Sequence, residues 1–76
     1  MPEINETMDL QGVPCPQNFA RTLLRLEAME EGKLLEVFLD DGEPIDNVPR
    51  AVLEEGHKIL VKENLGKKWR LVIEKI

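Results

Sequence analysis

The sequence is poor in cysteine, histidine and aromatic residues, and it has no long apolar run. Its 76 residues include one cysteine and one histidine, so it forms no internal disulfide and has no Cys/His cluster for zinc. We predict neither a metal nor another cofactor. No segment approaches the roughly 20 apolar residues that span a bilayer, and the polar N-terminus is unlike a secretory signal. We therefore expect a cytoplasmic protein with no membrane partner, folded by packing alone in a reducing compartment.

The low aromatic content and the acidic balance both argue against nucleic acid as a partner. Phe19, Phe38 and Trp69 are the only aromatic residues, too few for a base-stacking platform. Lys and Arg number 10 against 15 Asp and Glu, a net charge of -5, which opposes the phosphate neutralisation that such binding needs. The length allows one domain, spanning residues 1–76, and we expect it to act as a monomer.

Hydrophobic patterning predicts six elements in the order βαβαββ. Phe19, Leu23 and Leu26 recur at i, i+4 and i+7 and mark one apolar helix face, whereas alternating or continuous apolar runs indicate strands. The predicted elements are a strand over 4–10, a helix from Cys15 or Pro16 until Gly32, a strand over 34–39, an acidic loop over 40–46, a helix N-capped by Asn47 and ended by Gly56, and strands over 57–63 and 68–75 joined by a hairpin turn.

This order predicts an α/β (α+β) two-layer sandwich, with a mixed four-stranded sheet and both helices on one face. The opposite sheet face has no helix to cover it. We expect Leu34, Phe38 and Trp69 to lie there, partly exposed, as an apolar patch that a partner covers.

The topology also predicts which loops share a rim of the sheet. Strands joined by a helical crossover run parallel, so the loops after the first two strands should meet at one rim. That rim would hold Cys15, the acids around Asp40 and Asp41, and the hairpin. His57 begins the third strand and is expected at the opposite rim, where it caps the second helix.

Cys15 is the only strong nucleophile in the chain. At the start of a helix a thiol meets the positive end of the macrodipole and several free N–H groups, which favour the reactive thiolate. Gly12 and Pro16 would keep the surrounding loop open and rigid. With His57 remote, the predicted chemistry is direct attack by an already ionised sulfur, without a general base. The alternative is that Cys15 is a small buried hydrophobic residue.

Charged residues near the predicted rim have two interpretations. Asp40 and Asp41 belong either to a solvated acidic loop or to a surface that docks a basic partner. Lys67 and Lys68 of the hairpin are candidates for the same docking surface.

Several motifs, in order and with matching spacing, resemble the TusA/SirA family of small sulfur-carrier proteins. They are the run Met8–Pro16, the run Gly32–Val37 with Asp40-Asp41 behind it, Val48-Pro49, and Glu55-Gly56-His57. The resemblance covers about residues 8–73. It implies the same βαβαββ sandwich and a sulfurtransferase role, in which the motif cysteine accepts a sulfane sulfur as a persulfide and passes it on.

Residue by residue, the resemblance gives the carrier role to Cys15 and a supporting role at the helix start to Pro16. Arg21 stands where the family is often basic, which implies partner docking. The family motif Cys-Pro-x-Pro here reads Cys15-Pro16-Gln17-Asn18. Asn18 lacks the stiffness of proline but adds an amide, which we expect to support the site by hydrogen bonding near the sulfur.

The leading hypothesis is thus a sulfur carrier that works between two protein partners. The donor would be a cysteine desulfurase or a rhodanese-like protein carrying a persulfide, and the acceptor another sulfurtransferase. The alternative is a non-catalytic regulatory or docking module of the same fold, in which the thiol is incidental. An exposed, reactive Cys15 separates the first hypothesis from the second.

Overall fold

The computed structural model of the chain describes residues 3–76. Its elements are β1 (Glu6–Asp9), α1 (Gln17–Ala28), β2 (Leu34–Asp40), α2 (Glu43–Glu54), β3 (Lys58–Asn64) and β4 (Lys68–Glu74). The strands form one sheet in the order β1-β2-β4-β3. β1 is parallel to β2, and β4 is antiparallel to both β2 and β3. The predicted βαβαββ order and the mixed four-stranded sheet are confirmed.

The core lies between the sheet and the two helices. Alternate residues of β2 point towards the helices, and Leu35, Val37 and Leu39 are all 0% exposed. Leu26 of α1 and Val48 of α2 pack into the same cluster. Full burial of one such side chain contributes about 1.5–3 kcal/mol, so this face of β2 contributes strongly to the core that the sheet shares with the two helices. Of the helices in the described residues, neither is long and apolar enough to cross a membrane.

The predicted start of the second helix is wrong. α2 begins at Glu43, not after an N-cap at Asn47, and Gly42 precedes it with φ 97°. Pro44 is the second helical residue, a position that proline tolerates because its missing N–H would have no helical partner there. Pro49, which would stand in the first turn of a helix capped by Asn47, instead lies well inside α2 and is buried. The predicted loop 40–46 is therefore reduced to the turn at residues 41–42.

The prediction for the open face of the sheet is also partly wrong. Trp69 pairs with Leu39 across β4 and β2, which places it on the helix-covered side, packed against the core. Leu34 is on the open side but only 3% exposed. Phe38 is half-buried there, with the Lys68 ammonium 4.7 Å from its ring centre. The expected patch is thus smaller and more charged than the sequence suggested.

The end of α2 agrees with the prediction that Gly56 stops this helix. Gly56 has φ 90°, a conformation that glycine adopts without the Cβ strain of other residues. Its N–H donates to the Leu53 carbonyl, and the His57 N–H donates to the Val52 carbonyl. This pair of hydrogen bonds is a Schellman motif, and it turns the chain directly into β3.

Candidate functional site

Residues 11–16, which lie between β1 and α1, include the lone cysteine and are called the Cys loop below. Two carboxylates brace its start. Asp9 Oδ1 accepts hydrogen bonds from the backbone N–H and the side-chain amide of Gln11, both at 3.0 Å. These bonds hold the pKa of Asp9 below its usual range, with a smaller contribution from Lys68. Asp40 Oδ2, at the end of β2, accepts from the Gly12 N–H at 2.6 Å.

Cys15 lies just outside the first helix. Pro16 is the N-cap of α1, and Gln17 is the first helical residue, so the helix begins slightly later than predicted. The turn is nevertheless continuous with the loop, because the Asn18 N–H donates to the Pro14 carbonyl at 3.1 Å. The Cys15 side chain is exposed. It is therefore not the buried hydrophobic residue of the alternative interpretation.

The sulfur has a hydrogen-bond donor that the sequence analysis did not identify. Asn47 Nδ2 lies 3.6 Å from Cys15 Sγ, within the longer range of hydrogen bonds to sulfur. Asn47 was missed because it was assigned to the N-cap of α2. The spacing of Ile45, Val48 and Val52, all buried, could have extended the helix back and placed Asn47 within it.

An open cleft of about 390 Å³ lies beside the sulfur. It is lined by Gly12, Val13, Pro14, Cys15, Asp40, Asp41, Glu43 and Pro44. The cleft therefore joins the Cys loop, the end of β2 and the first turn of α2, as the shared-rim argument predicted. The charged residues of its lining are all acidic, and no lysine, arginine or histidine of the described residues belongs to that lining.

The other predicted docking residues have separate environments. Asp41 Oδ1 accepts from the Trp69 indole N–H at 2.9 Å, so it ties the turn before α2 to β4. Lys68 stacks over Phe38 on the open sheet face, and Lys67 is exposed in the hairpin. Arg21 is exposed on α1, where it lines a different groove with Met8, Leu24, Arg25 and Ala28.

Asn18 was expected to form a hydrogen bond near the sulfur, but it makes no such contact. Its side chain is 0% exposed, and its Oδ1 accepts from the neighbouring Phe19 N–H at 2.7 Å. Its Nδ2 is buried with no hydrogen-bond partner among the described residues. The physical reason is helix geometry, since the second helical position turns this side chain towards the core. The amide that meets Cys15 belongs to Asn47 instead.

His57 lies at the other rim of the sheet, as the topology predicted. It precedes Lys58, which pairs with Glu74, and Glu74 pairs with Leu34 at the start of β2. Cys15 is near Asp40, at the end of β2. His57 Nδ1 accepts from the Ile76 N–H at 3.1 Å. Partial burial, and the nearby Lys75, lower the pKa of His57. It cannot act as a base for the sulfur from this position.

The architecture has a counterpart among solved structures. The crystal structure of a SirA-like protein from Desulfitobacterium hafniense superposes with a TM-score of 0.78, covering 91% of this chain and 95% of that one at 21% identity. At this identity the similarity concerns the fold. The class that the fold defines is therefore the SirA-like α+β sandwich.

Sequence comparison identifies the family. The family model described as "Sulfurtransferase TusA" matches residues 6–75. A "putative sulfur carrier protein" of Archaeoglobus fulgidus is 42% identical over 74 residues, 96% of this chain and 84% of that protein. The "putative sulfur carrier protein YedF" of Escherichia coli K12 is 31% identical over 68 residues, 90% of this chain and 88% of that protein. The chain belongs to the TusA family of sulfur carrier proteins.

Proposed function

We propose that this chain carries sulfur as a persulfide on Cys15 and relays it between two proteins. The observation that carries the proposal is the exposed sulfur at the mouth of an open cleft, in a chain of the TusA family. Both steps of the exchange need access to the Cys15 sulfur, because the donor and the acceptor must reach it in turn. The position of Cys15 in a braced loop before α1 meets that requirement.

The chemistry is two successive thiol exchanges with no net redox change. In loading, the Cys15 thiolate attacks the terminal sulfur of a donor persulfide. A new S–S bond forms on Cys15, the donor S–S bond breaks, and its electron pair leaves on the donor thiolate. In unloading, an acceptor thiolate takes the terminal sulfur, and the Cys15 thiolate is the leaving group. Each step depends on the thiolate as nucleophile or leaving group.

The reaction as proposed uses no general base of this chain. The single histidine lies at the far rim, and the charged groups that line the cleft are carboxylates. The groups that favour the sulfur anion are the start of α1, through its free N–H groups and dipole, and the Asn47 amide. In this arrangement the attacking Cys15 sulfur is already ionised, so the exchange with a protonated donor persulfide needs no base of this chain.

We further propose the partners that the chemistry requires. The donor is a cysteine desulfurase or a rhodanese-like protein, and the acceptor is a second sulfurtransferase thiol, both in a reducing compartment such as the cytoplasm. The groove around Arg21 and the lysines at 67 and 68 are proposed docking surfaces. Asp40 and Asp41 face the cleft as well, although each also holds a hydrogen bond within the fold.

Intact-mass analysis tests the carrier role. The wild-type chain is incubated with a cysteine desulfurase and cysteine, and we expect the mass of one added sulfur, removed again by a reducing thiol. Cys15→Ser should gain no sulfur. Because the side chain is exposed, the substitution should change stability by only about 0.5 kcal/mol, measured by thermal unfolding.

The contradicting result is equally specific. It is a folded wild-type chain that gains no sulfur from a desulfurase, from a rhodanese-like persulfide or from a small-molecule persulfide. The carrier role would then be refuted, and the docking module would be the remaining hypothesis.

A further inference from the structure

Asn47 lies on a rigid element, whereas the cysteine it contacts lies in a loop. Its neighbour Val48 and, one turn later, Val52 are both 0% exposed, so this part of α2 is fixed against the core. The Asn47 side chain is half-buried and reaches across to Cys15, 32 residues away in the chain. A donor on a packed helix can hold the sulfur of a loop residue in one orientation.

The surroundings explain why an uncharged donor matters at this place. Asp40, Asp41 and Glu43 line the cleft beside the sulfur, and their negative charges oppose a second anion nearby. The side-chain amide of asparagine offers N–H groups without adding a charge. In the described residues, Asn47 Nδ2 is the one side-chain donor within hydrogen-bond distance of Cys15 Sγ.

We propose that Asn47 is the positioning residue of the sulfur site, donating its Nδ2–H to the Cys15 sulfur whenever that atom bears negative charge. This inference rests on the proposed carrier function and adds a residue to it. The sulfur is anionic twice in the cycle, first as the attacking thiolate and later as the leaving thiolate. One amide therefore favours both loading and unloading, and it keeps the sulfur directed at the cleft.

The test measures alkylation of Cys15 by iodoacetamide, which needs no sulfur donor. Only the thiolate reacts, so the rate at neutral pH and the pH–rate profile report directly on anion stabilisation. We expect Asn47→Ala to slow alkylation at neutral pH about three- to tenfold, less than the full effect of a hydrogen bond to a charge, because water reaches the exposed sulfur and partly replaces the lost donor. The profile should move to higher pH.

A second variant separates positioning from a structural role. Asn47→Asp keeps the shape of the side chain but replaces the donor with a negative charge, so we expect it to be slower than Asn47→Ala. A merely structural role predicts that each variant loses reactivity only as far as it loses stability, whereas positioning predicts slow alkylation in a variant that unfolds like the wild type. Alanine has the higher helix propensity, so Asn47→Ala should remain folded, as thermal unfolding can verify.

Gln17→Ala is the matched control. It removes an exposed side-chain amide two residues from Cys15, and the Gln17 side chain makes no hydrogen bond within residues 3–76. We expect wild-type alkylation from it. Identical pH–rate profiles for the wild type and both Asn47 variants would overturn the inference. Failure of the carrier function is a separate result, since a chain that never gains sulfur can still show the Asn47 effect on alkylation.

Discussion

The hydrogen bond from Gly12 to Asp40 should stabilise the Cys loop measurably. Asp40→Asn keeps an oxygen in the same place but removes its charge. Hydrogen bonds to charged groups contribute about 1.5–3 kcal/mol and neutral ones about 0.5–1.5 kcal/mol. The short 2.6 Å distance places this bond in the charged class, and its exposure to water reduces the difference. We therefore expect Asp40→Asn to lower the free energy of unfolding by about 1 kcal/mol.

Thermal unfolding followed by circular dichroism measures the global effect. For a domain of this size, about 1 kcal/mol corresponds to a fall in Tm of about 4–8 °C. Amide hydrogen exchange measured by NMR gives the local effect, and the Gly12 amide should exchange faster in the variant. Faster exchange at this amide alone would show loosening of the Cys loop without unfolding of the sheet.

Glu43→Gln is the control for the loss of charge. Glu43 lines the same cleft, but its side chain makes no hydrogen bond within the described part of the chain. It should lose only its interaction with the start of α2, about 0.3 kcal/mol. If Asp40→Asn unfolds at the wild-type temperature and its Gly12 amide remains equally protected, the bracing role of Asp40 is refuted.

Two further predictions follow from the environments of Asn18 and His57. Asn18→Pro removes two hydrogen bonds, which lowers stability by about 0.5–1.5 kcal/mol for each bond. It also removes the buried, unpaired Nδ2, whose desolvation costs about 1–3 kcal/mol, and this change raises stability. We therefore expect stability within about 1 kcal/mol of wild type and sulfur loading within about twofold, measured by unfolding and intact mass; a folded variant that cannot load would contradict this. Burial and Lys75 lower the pKa of His57 in the folded chain. As the pH falls, the unfolded chain therefore binds a proton at His57 before the folded chain does, and the free energy of unfolding should fall as pH drops below about 6.5 towards the folded pKa. Denaturant unfolding at several pH values should show this loss in the wild type and not in His57→Gln; an equal loss in both would assign it to other groups.

The periodicity of hydrophobic residues was sufficient to predict the order of the elements and most of the core. Leu35, Val37 and Leu39 follow the two-residue period of a strand, and Val48 and Val52 follow the turn of a helix, and all five are fully buried. Such patterns depend only on residues that are close together in the chain, so they can be recognised in a single sequence. The rim that joins the Cys loop to the acidic turn also followed from the parallel direction of strands that a helical crossover joins.

The errors concern features that depend on distant parts of the chain. Proline is compatible with several positions near a helix start, so Pro44 and Pro49 did not define where α2 begins. The face occupied by Trp69 depends on the pairing register of β4 with β2, because a shift of one residue reverses every side chain. The Asn47 contact with Cys15 joins two segments 32 residues apart, and no local pattern encodes it.

The irregular edge of the sheet has a consequence for self-association. β3 is an outer strand, and its pairing with β4 shifts register between Ile59 and Val61, which leaves Leu60 46% exposed. A bulge of this kind interrupts the row of N–H and C=O groups that a strand from another copy would pair with. The flanking lysines at 58 and 62 add charge repulsion between the β3 edges of two copies. A chain with one cysteine carries one sulfur in each loading and unloading cycle, so the flux of sulfur through the proposed carrier is proportional to the number of usable copies. Abundance then limits the flux of sulfur, and an edge that resists polymerisation allows the protein to accumulate as separate, usable copies.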